Sequence, residues 1–165
     1  MKDLIVCGTG HRPNKLGGYT HEAEAMLHTL ANWWLSANRP KEVITGMALG
    51  WDTALAISSY NLGIPYTAAI PFRGQEEMWP QKSQDKYNLL LSKAKDIVIV
   101  CEGGYSSQKM QLRNIWMVDN SQGILALWDG TSGGTHNCVK YAKTTKKPIY
   151  NIWEHYLSLL QDNRK

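Results

Sequence analysis

Gly123-Ile124-Leu125-Ala126-Leu127-Trp128, followed at once by Asp129-Gly130-Thr131-Ser132-Gly133-Gly134-Thr135, is the stretch on which the fold turns. The first six residues form an apolar run of strand length, and a helical pattern resumes over Gly134 to Lys146. A strand without polar alternation is covered on both faces, as in parallel sheets with helices above and below. Between strand and helix, the run Trp128 to Thr135 packs three glycines and three hydroxyls. That composition suits a phosphate cradle of backbone N–H groups and Ser/Thr hydroxyls. It is not a Walker A motif, because no Lys-Ser/Thr pair closes it. A mobile surface loop is the competing reading.

The same unit repeats in both directions. Strands are predicted over Leu4 to Cys7, Glu42 to Thr45, Tyr66 to Ile70, Asp96 to Cys101, Gly123 to Trp128 and Pro148 to Ile152. Helical spacing of apolar residues predicts helices from Thr20 to about Ala37, from Asp52 to near Gly63, and over Gln81 to Ala94. Further helices are predicted over Lys109 to Asn120, Gly134 to Lys146 and Glu154 to Leu160. Strands alternating with helices predict an α/β fold, a Rossmann-like three-layer domain with a mainly parallel sheet covered by helices on both faces. The length of 165 residues fits a single domain over 1–165. Right-handed crossovers place every strand's C-terminal end along one edge, where ligands bind in such folds.

Four loops follow strands on that edge. Gly8-Thr9-Gly10-His11-Arg12-Pro13 offers two glycines for a sharp turn, with His11 and Arg12 supplying charge. An ordinary tight turn is its plain alternative. Thr45-Gly46-Met47-Ala48-Leu49-Gly50-Trp51-Asp52 runs from a strand through a glycine pair into a helix N-terminus, a natural anion site. Asp52 either caps that helix or faces a ligand, where its carboxylate suits a ribose hydroxyl. In Pro71-Phe72-Arg73-Gly74-Gln75-Glu76, Arg73 is a candidate fork for phosphate, and a solvated arginine otherwise. Trp128 to Thr135 is the fourth and most specific.

Composition bounds the partners. Apolar residues at 43% supply a core and argue against disorder, and a net charge of +4 is too mild for dedicated nucleic-acid binding. The cysteines Cys7, Cys101 and Cys138 are odd in number and form no metal-binding pair, so a reducing cytoplasm is expected. Cys7 and Cys101 lie in apolar runs and read as core thiols. No run approaches a membrane span. No metal site and no cofactor are expected, although Mg²⁺ would accompany a polyphosphate ligand. Of the seven tryptophans, Trp33, Trp34 and Trp153 are core or subunit-contact candidates. Trp51, Trp79 and Trp128 lie in or beside the loops, where they either stack on a base or pack on a helix.

The residues Gly8 to Pro13, Gly46 to Asp52 and Trp128 to Thr135 resemble the SLOG superfamily of Rossmann-like domains, in its YpsA-like branch. The likeness runs from about Leu4 to Ile152, and the superfamily also includes the DprA and Lonely-guy (LOG) families. It implies a nucleotide-related ligand at this edge and a homodimer, with Trp33 and Trp34 as a possible contact. Arg113-Asn114-Ile115-Trp116-Met117 resembles the Arg-Lys-x-x-Met stretch of LOG phosphoribohydrolases, with Arg113 at their active-site arginine. In that family the following Pro-Gly-Gly-x-Gly-Thr-x-x-Glu loop brings a glutamate that assists N-glycosidic cleavage. Aligned on Gly134-Thr135, this chain has Cys138 at that place.

Three functions follow. The first is capture of a nucleotide or an ADP-ribose-like derivative without turnover, for sensing or sequestration. The second is an N-glycosidase acting on a nucleoside monophosphate, with Arg113 and a carboxylate from Asp52, Glu76 or Asp129. The third is single-stranded DNA binding, as in the DprA branch. The missing glutamate favours the first over the second, and the modest charge counts against the third. The expected ligand set is Gly8, Thr9, Gly10, His11, Arg12, Gly46, Met47, Gly50, Asp52, Pro71, Arg73, Arg113, Asn114, Trp128, Asp129, Ser132, Gly133, Gly134 and Thr135. Within it, Arg12, Arg73 and Arg113 are expected to converge on phosphate.

Overall fold

The structure, a computed structural model, describes Met1–Lys165. Six strands form one sheet: β1 (Ile5–Gly10), β2 (Glu42–Thr45), β3 (Tyr66–Ile70), β4 (Asp96–Ile99), β5 (Gly123–Leu127) and β6 (Ile149–Asn151). All pairings are parallel and the order is β4-β3-β2-β1-β5-β6. Between them run α1 (His21–Asn38), α2 (Trp51–Asn61), α3 (Gln81–Lys93), α4 (Ser107–Asp119) and α5 (Gly134–Thr144), with α6 (Trp153–Asn163) last.

Strand periodicity divides the core into two halves. Val6, Val43, Ala68 and Leu125 face a cluster built with α1, α2, α3 and α6. Their neighbours Cys7, Ile44, Ala69 and Ile124 face a smaller one built with α4 and α5. The result is the three-layer α/β/α arrangement expected from the alternating pattern. Winding proceeds outward from β1 to β4, and α4 then carries the chain back to place β5 on the other side of β1. The reversal between β1 and β5 opens a crevice at their C-terminal ends, where such folds bind ligands.

Several boundaries depart from the sequence reading. β1 does not stop at Cys7: Gly8, Thr9 and Gly10 continue as strand, paired with Leu125, Ala126 and Leu127. These glycines serve close packing, not turning. A Cβ on Gly10 would lie 2.5–2.7 Å from Trp51 atoms, so only glycine lets the first turn of α2 press onto β1. β4 ends at Ile99 and is an edge strand with Ile97 exposed, so its apolar run is not covered on both faces. Cys101 is accordingly half-buried and not a core thiol. The final helix is longer than the expected Glu154 to Leu160. No helix is long and apolar enough to cross a membrane.

Candidate functional site

A cavity of about 540 Å³ opens at the β1/β5 crevice, within the usual size of a small-molecule site. From the expected set it is lined by Gly8, Thr9, Gly10, His11 and Arg12 of β1 and its loop, and by Asp52 of α2. Arg113 and Asn114 of α4 line it too, as do Ser132, Gly133, Gly134 and Thr135.

The helix α5 starts at this cavity with no side chain capping it. Its N-cap is Gly133, at φ 140°, a backbone region that side-chain-bearing residues rarely adopt. The first amides of the helix therefore lack intrahelical acceptors, and their partial positive charge is available to an anion. Neither Gly133 nor Gly134 has any atom within 4 Å of where a Cβ would stand, so the backbone is bare to a ligand.

Two contacts tie the β1 loop to the β5 loop across this opening. His11 Nε2 lies 2.8 Å from Asp129 Oδ1 and 3.1 Å from the Asp129 backbone N–H, so the tautomer decides which one it engages. Burial pushes the His11 pKa below its ordinary value, opposed by the Asp129 carboxylate. The Thr131 hydroxyl donates to Asp129 at 2.5 Å, and that bond heads the causes that bring the carboxyl down to about 2. Lys15 Nζ donates to the Thr131 hydroxyl, completing the second tie. Asp129 itself shapes the loop from beneath and does not line the cavity.

Arg113 and Asp52 form the floor. Arg113 is buried and donates from Nη1 to Gly46 O at 2.6 Å and Ala69 O at 3.3 Å, and from Nε to Asn114 Oδ1 at 3.1 Å. It thereby joins the ends of β2 and β3 to α4. Asp52 lies in the first turn of α2, and its Oδ2 accepts the Ala48 N–H at 3.2 Å. It therefore anchors the preceding loop and does not cap its own helix. Its Oδ1 is buried without a hydrogen-bond partner. Burial raises the Asp52 pKa, and the nearby Arg113 guanidinium works against that rise. Both groups crowd Gly46, where a Cβ would meet Arg113 at 2.5 Å and Asp52 at 2.9 Å.

Other expected residues lie elsewhere. Arg73 is exposed on its loop and does not line the cavity, so the three arginines do not share one cleft: only Arg12 and Arg113 line it. Pro71 and Met47 are buried behind the site, and Gly50 sits beneath the His11 and Arg12 backbone. Glu76 is also outside. Trp51 is fully buried against β1 and unavailable to a base. Trp79 packs edge-on against Tyr87, and Trp128 donates its indole N–H to Thr131 O at 2.7 Å. Trp34 is buried, whereas Trp33 is 41% exposed and stacks on His155 of α6. Cys138 is buried, and burial pushes its thiol up to about 11, which leaves no thiolate for chemistry near neutral pH.

Asn14, Lys15, Tyr105, Ser107, Met110 and Gln111 line the cavity without having been singled out by the sequence. The signal was present for Tyr105, since Gly103-Gly104-Tyr105 follows β4 just as the other loops follow their strands. No group of three or more His, Cys, Asp or Glu side chains is arranged to hold a metal ion.

Comparison with known proteins closes the question of ancestry. The YpsA model, described as the YspA SLOG family, matches residues 6–157. The chain belongs to the YspA SLOG family. It is similar to the SPbeta prophage-derived protein YoqJ of Bacillus subtilis (strain 168), 36% identical over 62% of this chain and 69% of that protein. A UPF0398 protein of Bacillus cereus (strain G9842) is 23% identical over 96% of this chain and 93% of its own length. Among solved structures, DNA processing protein A (DprA) of Streptococcus pneumoniae superimposes with a TM-score of 0.63 at 15% identity. That match covers 90% of this SLOG chain and 50% of the DprA chain, so the chain spans half of that neighbour's length. DprA of Helicobacter pylori, described for its single-stranded DNA binding mode, gives a TM-score of 0.63 at 17% identity, over 98% of this chain and 82% of that one. At such identities the likeness is one of fold.

Proposed function

We propose that this SLOG protein binds a nucleotide or an ADP-ribose-like derivative in the β1/β5 cavity and holds it without turnover, as a sensor or sequestering protein. The observation that carries this reading is the uncapped start of α5, bare at Gly133 and Gly134, opening into a cavity that Arg12, Lys15 and Arg113 also line. Helix amides, the Ser132 and Thr135 hydroxyls and these cations together suit a phosphate group. The fourth-loop cradle expected from sequence has this same role in the proposal. Binding without turnover is supported by Cys138, which stands where LOG enzymes have their glutamate and is buried as a neutral thiol.

A second reading, N-glycosidic cleavage, is favoured by one residue. Of the three carboxylate candidates, Asp52 alone lines the cavity, and burial raises its pKa against the pull of Arg113. Incubation with AMP, NAD and ADP-ribose, followed by mass spectrometry of retained ligand and of released base, separates the two. An intact nucleotide retained by the wild type and lost from an Arg12→Ala/Lys15→Ala double variant supports binding. Free base, formed with turnover and abolished by Asp52→Asn, would establish the enzyme instead. Retention of an oligonucleotide but of no mononucleotide would place the chain with the DNA-binding neighbours.

A further inference from the structure

The cavity's lining divides into two chemistries. Arg12, Lys15 and the Ser132 to Thr135 loop are cationic or polar and come from the β1 and β5 ends. The large apolar members, Tyr105, Met110 and Met117, come from α4 and the loop that leads into it. Tyr105 lines the cavity and is 74% exposed. Phe72, buried at the end of β3, braces the Tyr105 ring edge-on at 6.1 Å and 82°.

Exposed aromatics occur singly on many proteins and carry no meaning alone. Here three further features apply. The ring packs edge-on with Phe72. Beside it in the lining lies Met110, a polarizable thioether that packs well against aromatic edges. Its helix is also fixed relative to the α5 amides, because Asn114 Nδ2 donates to Gly134 O and Gln111 Nε2 donates to Asn137 O, each at 3.4 Å. An apolar wall and an anion cradle are thus held in one frame.

We propose that Tyr105 is the stacking platform for the nucleobase of the bound ligand, with Met110 completing the apolar wall, while the α5 cradle holds the phosphate. This rests on the nucleotide reading of the cavity and adds to it which end of the ligand lies where. The chemistry required is a flat, π-bearing base joined to a phosphate through a sugar. A sugar phosphate lacking the base leaves the Tyr105 wall empty.

The test is titration calorimetry of the wild type and of Tyr105→Ala and Tyr105→Phe with AMP and with ribose 5-phosphate. Tyr105→Ala is expected to weaken AMP by roughly 5- to 150-fold, the range of base–aromatic stacking, and to leave ribose 5-phosphate unchanged. Tyr105→Phe keeps the ring and is expected to retain AMP affinity. Wild-type AMP binding that survives Tyr105→Ala overturns the platform and leaves the nucleotide reading intact. Equal losses for both ligands also overturn it, since they show a structural role. If the wild type binds neither of these ligands nor ADP-ribose, the nucleotide reading falls and the platform with it. The exposure of Tyr105 makes its removal compatible with folding, which an unchanged Tm verifies.

Discussion

His11 Nε2 stands 2.8 Å from Asp129 Oδ1, a contact that closes the crevice between β1 and β5 across 118 positions of sequence. Burial lowers the His11 pKa from 6.5, with the Asp129 carboxylate acting in the opposite sense. The unfolded chain therefore takes up the imidazole proton at higher pH than the folded one. Stability from the neutral ring is complete above about pH 6.5 and declines as pH falls from there through the lower folded value. His28 is lowered too, first by burial and then by Lys86, so His11→Gln should reduce the acid-side slope of Tm without abolishing it. An NMR titration of the His11 ring is expected to give a midpoint below 6.5. A higher midpoint would mean that Asp129 outweighs burial.

Gly10 and Gly8 test whether α2 is seated on β1 by close approach. Gly10→Ala places a methyl group 2.5–2.7 Å from Trp51, including its Cβ, which cannot swing away. A loss of about 1–3 kcal/mol in urea unfolding is expected, as for other overpacked cores. At Gly8 the conflict is with Leu55 Cδ1, the far end of a flexible side chain, so Gly8→Ala should lose less. Equal effects at the two glycines would refute the packing account.

Gly134→Asp separates binding from folding. No atom lies within 4 Å of the new Cβ, and an acidic group in the first turn of a helix is favourable by about 0.3–1 kcal/mol. Tm should hold or rise. The added carboxylate faces the proposed phosphate position, so retention of AMP and ADP-ribose should fall at least about tenfold. A large fall in Tm would show that the loop backbone does not accept a side chain at this position. Unchanged retention would move the phosphate away from α5.

Thiol accessibility checks the role of Cys138. Cys7 and Cys138 are buried, whereas Cys101 is half-buried. Burial raises both buried thiols, Cys138 to about 11. The native protein should react with one equivalent of Ellman's reagent, assigned by peptide mapping to Cys101, and with the other two only after unfolding. Rapid labelling of Cys138 would reopen a nucleophilic role.

The alternation of strands and helices was readable because each apolar run had strand length and each intervening stretch carried helical spacing. Strand order was not, since six similar runs differ little in what they can pair with. Gly8-Thr9-Gly10 looked like a turn because glycine usually punctuates one; its strand conformation depends on a β5 partner far along the chain and on the bulk of Trp51. Arg113 is marked by the resemblance of its segment to the Arg-Lys-x-x-Met stretch, and Arg12 by its position after a strand end. Arg73 met the same criterion and failed, because nothing in its loop reveals that the side chain points to solvent. Tyr105 follows β4 as the other site residues follow their strands, but its aromatic ring carries no phosphate-binding signature in the sequence.

The order β4-β3-β2-β1-β5-β6 also has a temporal meaning. A chain emerging from the ribosome can lay down β1 to β4 and cover one face with helices while the crevice still has a single wall. Its second wall and its uncapped helix are synthesised more than a hundred residues after the first. A molecule held there would bridge two parts of the chain that are made far apart in time. The pocket thus exists only once α5 has been made, and shorter nascent chains lack it.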